Sequence, residues 1–189
     1  AVSLGADRSI HLSDEALAGS DVNGTGYALA KVLATENPDL VLLGQQSDDG
    51  ECYTIGAVVA DHLQMPSLTQ VIKIDVEGET LRCERQAEYG YDTVSIPLPA
   101  GVSVGDAINE PRYPSLKAIM GAKKKPLETK SAADVGIEAD RVGYDNARAH
   151  CADFAEPPAK AAGQIIEDED TNETVEKIVA WLDERKLLA

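Results

Sequence analysis

The sequence predicts an α/β protein: a parallel sheet flanked by helices, interrupted by an antiparallel β excursion and followed by an extended C-terminal arm with a final helix. Three observations carry that prediction. Leu40 to Leu43, L-V-L-L, is a continuous apolar run bounded by Pro38 and Gly44, the pattern of a strand buried on both faces of a parallel sheet. Helical periodicity stands on both sides of that run, whereas from Thr69 onward the pattern alternates with a period of two. Aromatic residues are few, one Trp, one Phe and six Tyr, so the core must be filled mainly by Val, Ile, Leu and Ala, as is usual for an α/β domain.

Taken in order, A-V-S-L-G-A-D-R at residues 1–8 reads as the end of a helix stopped by Gly5, with most of such a helix expected to precede Ala1. Ser9 to Ser13 alternates as a short strand. After a Gly- and Asp-rich turn at residues 18–24, Tyr27, Ala28, Leu29, Val32 and Leu33 form one face of a helix ending near Asn37-Pro38. The L-V-L-L strand follows. A second helix runs through Ala57, Val58, Val59, Asp61 and Leu63. Thr69 to Asp75 and Leu81 to Ala87 form a hairpin around Glu77-Gly78. Asp92 to Ile96 adds a third antiparallel strand after the Tyr89-Gly90-Tyr91 turn, and Ala100 to Val104 returns to the main sheet. Residues 1–150 are expected to form the main domain and residues 151–189 an arm and helix. In the arm, E-P-P-A-K-A-A-G at 156–163 reads as an extended linker. The acidic turn Glu167 to Asp170 sits at the positive end of a helix whose Val175, Ile178, Val179 and Leu182 share a face, with Trp181 slightly off it. Such a helix docks either on its own domain or on a partner.

Two stretches carry candidate function. Residues 44–56, G-Q-Q-S-D-D-G-E-C-Y-T-I-G, join a buried strand to a helix start, the place where doubly wound sheets bind ligands and where free backbone N–H groups hold phosphate. The loop has three acids, Asp48, Asp49 and Glu51, but no lysine and no glycine-rich fingerprint. From pattern alone an ordinary connecting loop fits equally well. Residues 109–126, N-E-P-R-Y-P-S-L-K-A-I-M-G-A-K-K-K-P, reverse the local charge of an acidic chain. Pro111 and Pro114 impose extended geometry, and Ser115 is a helix N-cap before Leu116, Ile119 and Met120. From the residues alone, Leu116 is either tucked into its own domain with the lysines merely solvated, or it faces a partner.

The formal charge of −16, from 33 acids against 17 bases, argues against nucleic acid as a partner, because phosphate-backbone binding needs a basic surface. Cys52, Cys83 and Cys151 have no C-x-x-C spacing, so neither a zinc site nor a disulfide framework is indicated, and reduced thiols are expected. His11, His62 and His150 are equally scattered. No apolar run has the length of a membrane span.

With these residues read, the chain closely resembles the β subunit of electron transfer flavoprotein. The resemblance runs through Leu4-Gly5-Ala6-Asp7-Arg8, L-V-L-L-G-Q-Q, N-E-P-R-Y-P-S-L with K-K-K-P, and E-P-P-A-K-A-A-G, in the family's order over essentially the whole chain. It implies a Rossmann-like fold of the adenine nucleotide α-hydrolase type. It also implies a heterodimer with an α subunit that holds most of one FAD. Such a complex carries electrons singly from flavin dehydrogenases, such as the acyl-CoA dehydrogenases of fatty acid oxidation, to a quinone oxidoreductase.

The β subunit binds structural AMP, replaced by NAD in members that bifurcate electrons. By this resemblance Gly44, Gln45, Gln46, Asp49, Glu51, Cys52, Tyr53, Thr54 and Ile55 form the AMP segment. The backbone N–H groups near Cys52 to Ile55 would face the phosphate, and the acids ribose or adenine. By the same resemblance the stretch at 109–126 would be the loop that clasps partner dehydrogenases: Arg112, Tyr113, Leu116, Ile119, Met120, Lys123 and Lys124 would face the partner, with Leu116 as anchor and Lys123 to Lys125 steering or bracing acidic surfaces. The resemblance also implies that the C-terminal arm and helix wrap the FAD domain of the α subunit. Gln86 stands where many members place a glutamate near the subunit interface. Family members also begin with a strand, a helix and a second strand that this sequence does not contain. The implied location is the cytoplasm of a prokaryote, or the mitochondrial matrix in a eukaryote. The competing reading is a stand-alone adenine-nucleotide-binding module, which as an enzyme would need a phosphate-gripping lysine or a metal-binding acid pair in residues 44–56; Asp48-Asp49 is a thin basis for the latter.

Overall fold

The computed structural model describes residues 1–48, 50–160, 163, 165–166 and 170–188. It divides into two compact units, residues 1–150 and 151–189. In the first, β1 (Ser9–Leu12), α1 (Val22–Ala34), β2 (Leu40–Gly44), α2 (Ile55–His62), β3 (Ser67–Glu77), β4 (Thr80–Ala87), β5 (Gly90–Pro97), β6 (Ala100–Val104), α3 (Leu116–Ala122) and β7 (Leu127–Lys130) follow in order, with short 3-10 turns between them.

The sheet that positions the candidate site has the order β2-β6-β3-β4-β5. β6 pairs in parallel with β2 on one side and β3 on the other, and β3, β4 and β5 then run antiparallel. This is the expected parallel sheet with its antiparallel excursion. β6 is an interior strand, held between β2 and β3: its A-G-V-S-V sequence presents only small side chains, and its residues Ala100 to Ser103 are buried. The main core is Leu68, Val71, Leu81, Cys83, Ile96, Ala100 and Val102. Desolvation in that core pushes the Cys83 thiol pKa up.

Three expectations are corrected. β2 is not buried on both faces: Val41 is buried, but Leu42 is 58% exposed. β6 is its one strand partner among the described residues, so its far edge lacks the cover that an interior parallel strand needs. On α1 the buried residues are Gly24, Gly26, Tyr27, Ala28, Ala30 and Val32, while Leu29 is exposed. Tyr27 and Ala28 of that helix pack with Val142, Leu12, Leu17 and Ile137, so the residues beyond Pro126, which lack periodicity, close the second core cluster. Those residues also contain β7, which has no strand signature of its own and exists by pairing in parallel with β1, Ser9 opposite Leu127. At the chain start, Val2–Leu4 is a single 3-10 turn ended by Gly5.

α1 is entered through Asp21, whose carboxylate accepts from the N–H of Gly24 at 2.9 Å and from that of Arg148 at 2.7 Å. One side chain thus caps the helix and pins the end of the unit.

In the second unit, residues 151–160 have no regular element, and α4 (Thr171–Glu184) is capped by Asp170, which accepts from the N–H of Asn172. Ala161 and Ala162 of the expected linker, and Glu167, Asp168 and Glu169 of the acidic turn, lie outside the described residues. On α4 the residues Val175, Ile178 and Val179 are exposed, and Leu182 is half-buried. Trp181, off that face, is also half-buried, with the Arg185 guanidinium 4.1 Å from its ring centroid and Ile165 and Ile166 lining the same hollow.

Candidate functional site

The loop 45–54 leaves β2 at its carboxyl end and enters α2, and three contacts set its position. The Ser103 hydroxyl, buried on β6, donates to the Gly44 carbonyl at 3.2 Å. α2 lies close on β6: a methyl placed at Gly56 would meet Ser103 Cβ at 3.0 Å, and one at Gly101 would meet Ala60 Cβ at 2.8 Å. Within the loop, the N–H of Glu51 donates to the Ser47 carbonyl at 3.0 Å, closing a turn, and the Cys52 thiol donates to the Gly50 carbonyl at 3.1 Å.

Beside the loop is an open cleft of about 720 Å³ at the carboxyl ends of β2 and β6. Gly44, Gln45, Gln46, Asp48 and Tyr53 line it from the loop side. Gln70, Gln86 and Asp106 close it from β3, β4 and the turn after β6. Its polar side chains are therefore four amides, two carboxylates and the Tyr53 phenol, a set that matches the mixed donors and acceptors of a nucleobase and the hydroxyls of a ribose. At the start of α2 the N–H of Ile55 has a long bond to the Cys52 carbonyl, 3.4 Å. Those of Tyr53, Thr54, Gly56 and Ala57 have no partner among the described residues. Thr54 supplies no side-chain cap, which leaves these donors open to an anion.

The structure thus brings Gly44, Gln45, Gln46 and Tyr53 to one cleft, with the backbone at Thr54 and Ile55 beside it. The side chains of Glu51 and Cys52 do not line it, and Asp49 lies outside the described residues. Gln70 and Asp106 were not legible as site residues. Gln70 sits at a left-handed position, φ 60°, where the β3–β6 register shifts between Leu68 and Val71. The one available signal was that odd spacing of two buried residues in a strand that otherwise alternates. Among the described residues no cluster of three or more His, Cys, Asp or Glu is placed to hold a metal ion.

The stretch after β6 is a separate surface. Ser115 caps α3, its hydroxyl accepting from the N–H of Ala118 at 3.2 Å. Tyr113 is 97% exposed, Leu116 80% and Met120 71%, with Ile119 less so, which removes the reading of Leu116 as tucked into its own domain. Lys123 and Lys124 are exposed, whereas Lys125 is turned inward on the carbonyls of Val2, Gly5 and Ala6. Arg112 donates to the Leu4 carbonyl.

The sequence profile of the electron transfer flavoprotein domain matches residues 1–135. The chain belongs to the electron transfer flavoprotein family. Its α/β sheet with the β2–α2 loop at the strand ends is the Rossmann-like arrangement of that family. An electron transfer flavoprotein subunit beta from Mycobacterium leprae is 44% identical over 183 residues, covering 95% of this chain and 69% of that protein. One from Mycobacterium tuberculosis is 42% identical over the same shares. The caffeyl-CoA reductase-Etf complex subunit CarD of Acetobacterium woodii is 31% identical over 188 residues, 99% of this chain and 72% of that protein. Membership makes this a subunit of an electron-carrying flavoprotein. Among the described residues no helix is long and apolar enough to cross a membrane.

Proposed function

We propose that this chain is the β subunit of a heterodimeric electron transfer flavoprotein, an electron carrier that performs no bond chemistry itself. The observation that carries this reading is the capped α3 with its preceding loop, which holds Tyr113, Leu116 and Met120 out to solvent, away from the cleft at the strand ends. Apolar side chains held on a proline-bounded loop form a small contact patch with little ordering cost, which suits a transient complex with a flavin dehydrogenase. The name of the Acetobacterium relative joins its Etf subunits to a caffeyl-CoA reductase, and supports acyl-CoA-type flavoenzymes as the donor class. A quinone oxidoreductase is the proposed acceptor. The exposed Lys123 and Lys124 add long-range attraction for an acidic partner surface.

AMP is the proposed occupant of the cleft, with the unpartnered N–H groups of Tyr53, Thr54, Gly56 and Ala57 toward its phosphate, and the glutamine amides with Asp48 toward base and ribose. The cleft admits NAD on the same grounds. FAD, held mainly by the α subunit, supplies the one-electron chemistry. This chain braces that domain through the residue 151–189 arm and keeps the donor at a fixed approach through α3.

Co-expression with a cognate α subunit is expected to yield a yellow complex with a flavin spectrum, releasing AMP on denaturation, while the chain alone stays colourless. Colourless subunits that do not associate refute the proposal. In that complex Leu116→Ala should keep the flavin yet slow its reduction by an acyl-CoA dehydrogenase charged with acyl-CoA; unchanged kinetics refute the docking role.

A further inference from the structure

We propose that Arg112 and Lys125 are positioning residues for the docking stretch: they fasten its two ends to the carbonyls of the Val2–Ala6 turn and so set where Leu116 is presented. The proposal rests on the docking reading above and concerns what holds that surface in place.

α3 cannot hold itself. Its seven residues include none that is buried, and an isolated helix of that length is unstable in water. Its apolar side chains point outward, so they contribute little to its attachment. The element it packs against most is the 3-10 turn Val2–Leu4. The polar ties to that turn come from both flanks of α3: Arg112 before it and Lys125 after it.

The three consecutive lysines are not equivalent. Lys123 and Lys124 are exposed, whereas Lys125 is half-buried. Its ammonium faces the carbonyls of Val2 at 3.4 Å, Gly5 at 3.5 Å and Ala6 closer still. An ammonium has three donors; the carbonyls of Leu4, Gly5 and Ala6 accept no backbone N–H among the described residues, whereas that of Val2 also accepts from the N–H of Gly5 at 3.4 Å. Arg112 takes the Leu4 carbonyl from the other side. Four carbonyls therefore converge on two cations, and among the described residues neither cation forms a carboxylate pair. Gly5 makes the convergence possible: at φ 134° it turns the chain as a side-chain-bearing residue rarely does. Charge-assisted bonds of this kind are stronger than neutral ones, and a lysine committed to them is not free to meet a partner. The role of Arg112 is correspondingly internal.

The test uses the full chain assembled with its α subunit, followed by hydrogen–deuterium exchange and by titration with an acyl-CoA dehydrogenase as reductant. Lys125→Ala should speed exchange of the Leu116–Ala122 amides about tenfold, with a rise in KM for the dehydrogenase and no change in kcat or flavin content. Arg112→Ala should act in the same direction, and Lys125→Arg should restore slow exchange. Lys124→Ala, on the exposed side of the same run, should leave exchange unchanged. Unchanged exchange in both Lys125→Ala and Arg112→Ala overturns the proposal, and the second variant decides it if the first does not fold. If Leu116→Ala leaves KM unaltered while Lys125→Ala still loosens the helix, the docking reading fails and the clamp stands.

Discussion

Replacing Gly101 with alanine tests how α2, and with it the β2–α2 loop, is seated on the sheet. The new methyl would lie 2.8 Å from Ala60 Cβ. Ordinary carbon contacts begin at about 3.5–4.0 Å, so the helix must retreat by about 1 Å. Neither side has slack. Gly101 and Ala60 are buried and Val59 beside them is fully buried, so neither Cβ can rotate away. Overpacking of this sort costs about 1–3 kcal/mol, and the entropy gained by removing a glycine from the unfolded chain returns about 0.4–1 kcal/mol. The expected net loss spans about 0–2.6 kcal/mol with a midpoint of about 1.3 kcal/mol, which at the midpoint is about 3–5 °C in Tm for a chain of this size. Thermal unfolding followed by circular dichroism reads that shift, and, under the proposed AMP assignment, the AMP content of the purified complex reads the displacement of the loop. Gly121→Ala is the comparison, since nothing lies within 4 Å of the added methyl. It sits in α3, where alanine in place of glycine should add about 0.5–1 kcal/mol. A Gly101→Ala protein as stable as the parent would show that α2 does not press on β6 as described.

Asp21→Ala removes one acceptor from two backbone N–H groups and should destabilise the chain by about 1–2 kcal/mol in urea unfolding. The carboxyl groups of Asp14, Asp21 and Asp134 are all held below the ordinary aspartate range, first by the N–H of Ala16, Gly24 and Ser131 respectively. The unfolded chain therefore takes up these protons at higher pH than the folded one. Their contribution is fully present above about pH 4 and is lost as pH falls through the lowered folded values, so Tm should decline on the acid side of that point. A flat profile there would refute it. An aromatic disulfide reagent should titrate two thiols, Cys52 and Cys151, in the native chain and a third, Cys83, only on unfolding.

Much of the fold is written in contiguous residues. The L-V-L-L run, the alternation after Thr69, the turn at Glu77-Gly78 and the Ser115 cap each act over a few positions, so they are legible without knowing the rest of the chain. The N-E-P-R-Y-P-S-L stretch was legible for the same reason. Its prolines and its cap determine an extended segment and a helix start by local sterics alone.

What only tertiary structure decided depends on residues far apart. β7 has four residues of weak strand character and forms because β1, 118 positions earlier in register, offers it hydrogen bonds. The cleft acquires Gln70 and Gln86 because a bulge in β3 and the pairing of β4 carry them to the loop after β2. In K-K-K the sequence shows three equal cations, and nothing local separates them. Packing of α3 against the Val2–Leu4 turn places one ammonium over a set of carbonyls and leaves the other two in solvent. Periodicity and caps are short-range and survive in the sequence, whereas the direction of a long flexible side chain is set by whichever acceptors the fold brings within its reach.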